Sequence, residues 1–276
     1  MQGVREYDIE VNSLFVHLGD WRIFVIELAR ISSDHGVTTQ ELSFQSNGHI
    51  VPGVIWKPIN FKSPRPLLLM GHGGSHHKTA PVMVDIARRF VCNHGFIVAC
   101  IDGPIHGARR SELITGPQKQ QEFLQMWEKD NCIDRMVSDW TSFLNELVKI
   151  EFINAQALGW YGISMGTAYG LPFIAADDRI KVALLGMWGG DFVNSQRLLD
   201  DAPKVKCQVF FQQKWDDQFF SREGQIQLFE RLGSIEKWLK VYPGAHVSVS
   251  GEQLDDIEDF LSKKLKNLET NQYAIN

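Results

Sequence analysis

From Leu67 onward, short apolar runs alternate with amphipathic stretches long enough for helices. This alternation predicts an α/β protein with a mostly parallel, twisted sheet covered by helices on both faces. Two local signals agree with it. Asn47-Gly48 separates two strand-like runs and marks a hairpin, and Trp160-Tyr161-Gly162-Ile163-Ser164-Met165-Gly166-Thr167 reads as strand, sharp turn and helix in immediate succession.

The elements follow in chain order. Leu14 to Ile31 mixes Trp21, Ile23, Phe24, Ile26 and Leu28 with charges at helical spacing, so residues 1–36 are expected to form an N-terminal helical addition. The hairpin pairs Val37–Phe44 with His49–Trp56, and Lys57-Pro58 closes its second strand. Strands are then expected at Leu67–Met70, Phe96–Ile101, Ala155–Tyr161, Ile180–Met187, Val205–Phe211 and Glu236–Val241, about eight in all with the hairpin. Helices fall near Val82–Asn93, Ile133–Ile150, Met165–Ala176, Ser221–Leu232 and Glu252–Leu268. Residues 111–130 are long for a simple connection and are expected to lie over the crevice and shape access to it.

Composition bounds the rest. At 276 residues and 44% hydrophobic content the chain can bury a large core, and a single domain over 1–276 is expected. A formal net charge of −5 with 22% charged residues leaves no basic footprint for nucleic acid and no polybasic patch for a membrane surface. No apolar run reaches the ~18 residues of a spanning helix, and the acidic start is unlike a signal peptide, so a soluble, cytoplasmic protein is expected. Cys92, Cys100, Cys132 and Cys207 lack Cys-x-x-Cys spacing and read as thiols rather than disulfides or zinc ligands. No repeat or low-complexity tract interrupts the chain.

In a doubly wound sheet, ligands sit beyond the carboxyl ends of the strands, so the residues following each strand carry the chemistry. The third of these strand ends holds Gly162-Ile163-Ser164-Met165-Gly166, in which two glycines let strand and helix approach and Ser164 stands at the helix N-terminus. The first holds Gly71-His72-Gly73-Gly74-Ser75-His76-His77-Lys78. There a glycine turn can present the Gly74 N–H to an oxyanion, with the Met165 N–H as second donor. His72 is read as bonding this loop from beneath; a metal site of His72, His76 and His77 is the competing reading. Asp102 and Arg109 or Arg110 read as a braced turn.

Trp188, with Met187, is placed either to line an apolar substrate pocket or to pack under the connection that follows. Asp216 and Asp217 both stand where a carboxylate would orient an imidazole; Asp217 is favoured because Gln218-Phe219-Phe220-Ser221 turns from it into the next helix. His246 follows the last strand on a Pro243-Gly244 loop. Serine, acid and base thus occur in the order Ser164, Asp217, His246.

With His72-Gly73-Gly74, Asp102-Gly103-Pro104-Ile105-His106-Gly107, the Ser164 elbow, Trp215-Asp216-Asp217 and Gly244-Ala245-His246, the chain from about Val37 resembles the α/β-hydrolase superfamily, in its dienelactone-hydrolase-like and acyl-peptidase-like esterase branch. The resemblance implies the α/β-hydrolase fold and a serine carboxylesterase with Ser164, Asp217 and His246 as triad and Gly74 and Met165 as oxyanion hole. It further implies no cofactor, no metal and a small-molecule ester as substrate. Serine in place of the cysteine of dienelactone hydrolases proper puts dienelactone itself in doubt. A peptidase or thioesterase with the same triad, a non-catalytic binding protein and a homodimer all stay open.

Overall fold

The computed structural model describes residues 5–6, 27–110, 112 and 114–271. Its strands are β1 (Arg5–Glu6), β2 (Glu27–Asp34), β3 (Val37–Ser46), β4 (His49–Pro58), β5 (Arg65–Gly71), β6 (Ile97–Ile101), β7 (Ile153–Gly162), β8 (Val182–Gly186), β9 (Gln208–Lys214) and β10 (Lys237–Tyr242). The helices are α1 (Pro81–His94), α2 (Gly116–Lys129), α3 (Ile133–Leu147), α4 (Met165–Ala176), α5 (Gln196–Asp201), α6 (Arg222–Arg231) and α7 (Glu252–Asn271). Among the described residues one ten-stranded sheet runs in the order β1-β2-β3-β4-β6-β5-β7-β8-β9-β10. Pairing is antiparallel from β1 through β4 to β6 and parallel across the rest.

The central strands are apolar on both sides because both faces are covered. Leu67 to Met70 of β5 and Ile97 to Cys100 of β6 have no exposed surface, and each fully buried large side chain stabilises the fold by about 1.5–3 kcal/mol. On one face α2 to α6 close a core that includes Phe123, Trp127, Trp140, Trp160 and Trp188. On the other, α1 and α7 pack Met83, Ile86, Phe90, Ile257 and Leu261 against Leu68, Val98 and Leu184. Helix α4 is buried on all sides from Met165 to Ile174, as its uninterrupted apolar sequence requires.

The expected helical addition is corrected where it can be seen: Glu27 to Asp34 form a strand that pairs along β3, while most of Leu14–Ile31 lies outside the described residues. Two facts decide against helix there. His35 (φ 46°) and Gly36 (φ 83°) form a tight left-handed turn, and β3 offers its free edge to the backbone of β2. The segment 111–130 is likewise mostly helix α2, anchored by Phe123 and Trp127 one turn apart.

Candidate active site

Ser164 occupies the apex between β7 and α4 with φ 58° and ψ −124°, a conformation that non-glycine residues avoid. The turn survives because its neighbours fix it. The Ser164 N–H donates to Gly186 O at 2.9 Å, and the Thr167 hydroxyl lies 2.9 Å from Gly162 O and 2.7 Å from Gly186 O. The same hydroxyl accepts from the Gly186 N–H at 2.7 Å. Glycine is obligatory on both sides of the serine: a Cβ on Gly166 would stand 2.4 Å from Gly71 O, and one on Gly162 2.5 Å from Gly166 O.

His246 and Asp217 converge on this apex. His246 Nε2 lies 2.9 Å from Ser164 Oγ, and His246 Nδ1 lies 2.8 Å from Asp217 Oδ2. A carboxylate only accepts, so Nδ1 carries the proton and Nε2 presents its lone pair to the hydroxyl. The Asp217 side chain is fully buried, and its Oδ1 accepts the N–H groups of Phe219 and Phe220 at 2.9 and 3.0 Å. Asp216 is separated from it by exposure and task. It faces solvent and braces the histidine loop by accepting the Gly244 N–H at 3.2 Å. Gln218 accepts the His246 N–H at 2.9 Å and holds the same loop from the other side.

The loop after β5 is fixed by two buried histidines. The Gly103 N–H donates to His72 Nε2 at 2.9 Å, so His72 must carry its proton on Nδ1, which donates to Gly73 O at 2.9 Å. The His76 N–H reaches the same Gly73 oxygen at 3.0 Å. Across the trans peptide bond that joins them, the Gly73 carbonyl and the Gly74 N–H point in opposite directions, so anchoring one aims the other. His106 Nε2 donates to Gly74 O at 3.0 Å, and the Phe123 ring packs on Gly74. Among the described residues the amides of Gly74 and Met165 have no acceptor.

Burial pulls the His72 pKa down from 6.5 to about 4 and that of His106 well below its usual value, so both rings are neutral donors. The competing metal reading does not gather its ligands: among the described residues no three His, Cys, Asp or Glu side chains converge on an ion-sized point.

Three ion pairs tie these loops together. Asp102, wholly buried, accepts the Lys78 N–H at 2.9 Å, the Lys78 ammonium at 2.8 Å and the Ala108 N–H at 2.9 Å. Arg109 donates to buried Asp139 of α3 at 2.7 Å, and Arg110 pairs with Glu122 of α2.

Ser164, His246 and Gly74 open onto a cleft of about 580 Å³, its mouth included, lined further by Val82, Met83, Ile86, Gln120, Tyr161, Met187 and Ser248. Helix α2 adjoins it, with the Gly116 N–H donating to Ser75 O at 2.8 Å. Trp188 does not reach this cleft, which corrects its expected place in the pocket. Met187 adopts φ 53°, its N–H held by Gln212 O at 2.9 Å, and Met187 and Trp188 fall on opposite faces of the sheet. Trp188 is therefore buried against Trp127, Phe192 and Phe220 with its indole N–H donating to Ser195 at 3.0 Å, while Met187 takes the cleft. Trp160 is buried as well, and Trp215 lies on the surface under Arg222.

Thr167, Gln218 and Phe123 were not singled out by sequence. Only Thr167 left a signal, a hydroxyl in the first helical turn beside a chain reversal.

No family model matches the chain, and no curated protein matches it. Among solved structures, a cold-adapted esterase from an Arctic intertidal metagenomic library, in complex with polyethylene glycol, is 34% identical over 85% of this chain and 97% of its own, with a TM-score of 0.76. An acetyl xylan esterase from Paenibacillus sp. R4 is 14% identical over 87% of this chain and 89% of its own, with a TM-score of 0.62. A dienelactone hydrolase-like promiscuous phosphotriesterase from metagenomic libraries is 11% identical over 85% and 99%, with a TM-score of 0.67. The last two share the fold; the first shares sequence along nearly its whole length. The chain belongs to the same family of esterases as the 34%-identical structure, and it has the α/β-hydrolase fold.

Proposed function

We propose that the chain is a carboxylic ester hydrolase that works through a Ser164 acyl-enzyme. The observation that carries this reading is the continuous hydrogen-bonded line from Ser164 Oγ through both ring nitrogens of His246 to buried Asp217. It starts at a half-exposed hydroxyl on a strained turn, where a nucleophile is both accessible and rigid.

In the first half-reaction, Ser164 Oγ attacks the ester carbonyl as His246 Nε2 takes its proton. Asp217 holds the imidazole in the required tautomer and stabilises the cation that forms. The unpartnered amides of Gly74 and Met165 accept the negative charge developing on the carbonyl oxygen, helped by the N-terminus of α4. His246 then protonates the departing alkoxide oxygen. In the second half-reaction His246 deprotonates water as it attacks the acyl-serine carbonyl, and the protonated His246 then returns that proton to Ser164 Oγ as the bond to the acyl carbon breaks and the acid leaves. The esterase title of the 34%-identical structure supports ester as the substrate class. Ser164→Ala should lower kcat for p-nitrophenyl acetate on the order of a millionfold, and retained turnover would dismiss the assignment.

A further inference from the structure

We propose that the deep end of the cleft takes the acyl chain of the ester, and that Met187 sets how long that chain can be. The inference rests on the ester-hydrolase reading and adds to it a substrate class, short-chain acyl esters, and the residue that selects it.

The cleft has two unlike ends. Met83, Ile86, Tyr161 and Met187 line it and are all at most 4% exposed, and they belong to the apolar core between the sheet and α1. The polar lining side chains are more open: Ser75, His76 and Gln120 are half-buried and Ser248 is exposed, as is neighbouring Val247 at 58%, while Ile163 and Val249 add buried apolar surface to the enclosed part. His246, which must protonate the leaving oxygen, sits on the loop carrying Val247 and Ser248. The alcohol therefore departs along the open, polar side. The acyl group stays covalently attached through the second half-reaction and needs enclosure, which only the apolar end supplies.

Met187 is fixed there more firmly than packing alone would demand. Its left-handed backbone is unusual for a side chain of this size and is held by the bond from its N–H to Gln212 O. Its thioether lies 3.7 Å from the amide nitrogen of Gln253, a buried side chain that also donates to Gln212 Oε1 at 3.0 Å. A flexible methionine would fit many acyl chains; one pinned at both backbone and sulfur presents a fixed wall.

The test is the ratio of kcat/KM for p-nitrophenyl octanoate to that for p-nitrophenyl acetate, beside the ratio for hexyl acetate to ethyl acetate, on the purified full chain. Wild type should favour the short acyl group by at least about tenfold. Met187→Ala removes Cγ, Sδ and Cε, room for about three methylenes, and should raise the octanoate-to-acetate ratio at least about tenfold while the alcohol ratio stays put. Val82→Phe, at a half-buried lining position packed against the same apolar cluster, should lower the acyl ratio by a similar factor and keeps the question answerable if Met187→Ala fails to fold. An unchanged acyl ratio in a folded variant, or a shift in the alcohol ratio instead, overturns the inference. Fluorophosphonate labelling of Ser164 separates the two levels. Labelled protein with unmoved ratios refutes only the acyl assignment, whereas wild type that neither labels nor cleaves any ester refutes the hydrolase reading and this inference with it.

Discussion

Replacing His72 with glutamine should flatten the acid side of the stability profile, by an amount that follows from one buried ring. His72 is 2% exposed, and its folded pKa of about 4 lies below the 6.5 of an unperturbed imidazole. Between those values the unfolded chain takes up a proton that the folded chain refuses. Stability is therefore fully present above about pH 6.5 and falls as the pH drops towards about 4. The full loss is about 3 kcal/mol, most of which develops between about pH 7.5 and about pH 4.5.

The refusal has a structural cause: protonating Nε2 would set an N–H against the Gly103 N–H that now donates to it. Urea denaturation followed by tryptophan fluorescence at both pH values gives the drop for wild type and for His72→Gln. The drop should be smaller in the variant by about 2–3 kcal/mol. In the same variant kcat should fall about tenfold or more at neutral pH, because the Gly73 carbonyl loses one of the two donors that aim the Gly74 N–H. A variant whose stability declines in parallel with wild type would refute the assignment of His72 as a buried neutral donor.

The remaining predictions concern the parts around that loop. Asp217→Asn should reduce kcat by about four orders of magnitude by favouring the wrong imidazole tautomer, whereas Asp216→Asn should stay within about tenfold of wild type; p-nitrophenyl acetate kinetics compare them directly. Lys78→Met strands the carboxylate of Asp102, whose pair is buried on both sides, and should cost about 3–5 kcal/mol in chemical denaturation.

What could be read from sequence and what could not divides along physical lines. The Ser164 elbow, the Asn47-Gly48 hairpin and the alternation of β5 to β10 with helices were legible because each is set by residues adjacent in the chain. Turn geometry, glycine placement and periodicity are local signals. Strand β2 was misread because Leu28 and Ile31 also fit a helical spacing, and what decides its state is the free edge of β3, a distant partner. Trp188 was misplaced for a similar reason. Which face of the sheet Trp188 takes depends on how β8 registers against β9, where Met187 bonds Gln212, and nothing in Met187-Trp188 itself announces it. Adjacent Asp216 and Asp217 could be ranked only by the turn that follows them; the burial of one and the exposure of the other arise from how the histidine loop docks.

An activated Ser164 nucleophile is the property from which the rest of the chemistry follows. Intact-protein mass spectrometry after exposure to a fluorophosphonate, with peptide mapping, measures that property without assuming a substrate. A single adduct on Ser164, abolished in Ser164→Ala and strongly slowed in Asp217→Asn, is the predicted result. Wild-type protein that stays unmodified, or an adduct on another residue that persists in Ser164→Ala, would contradict it.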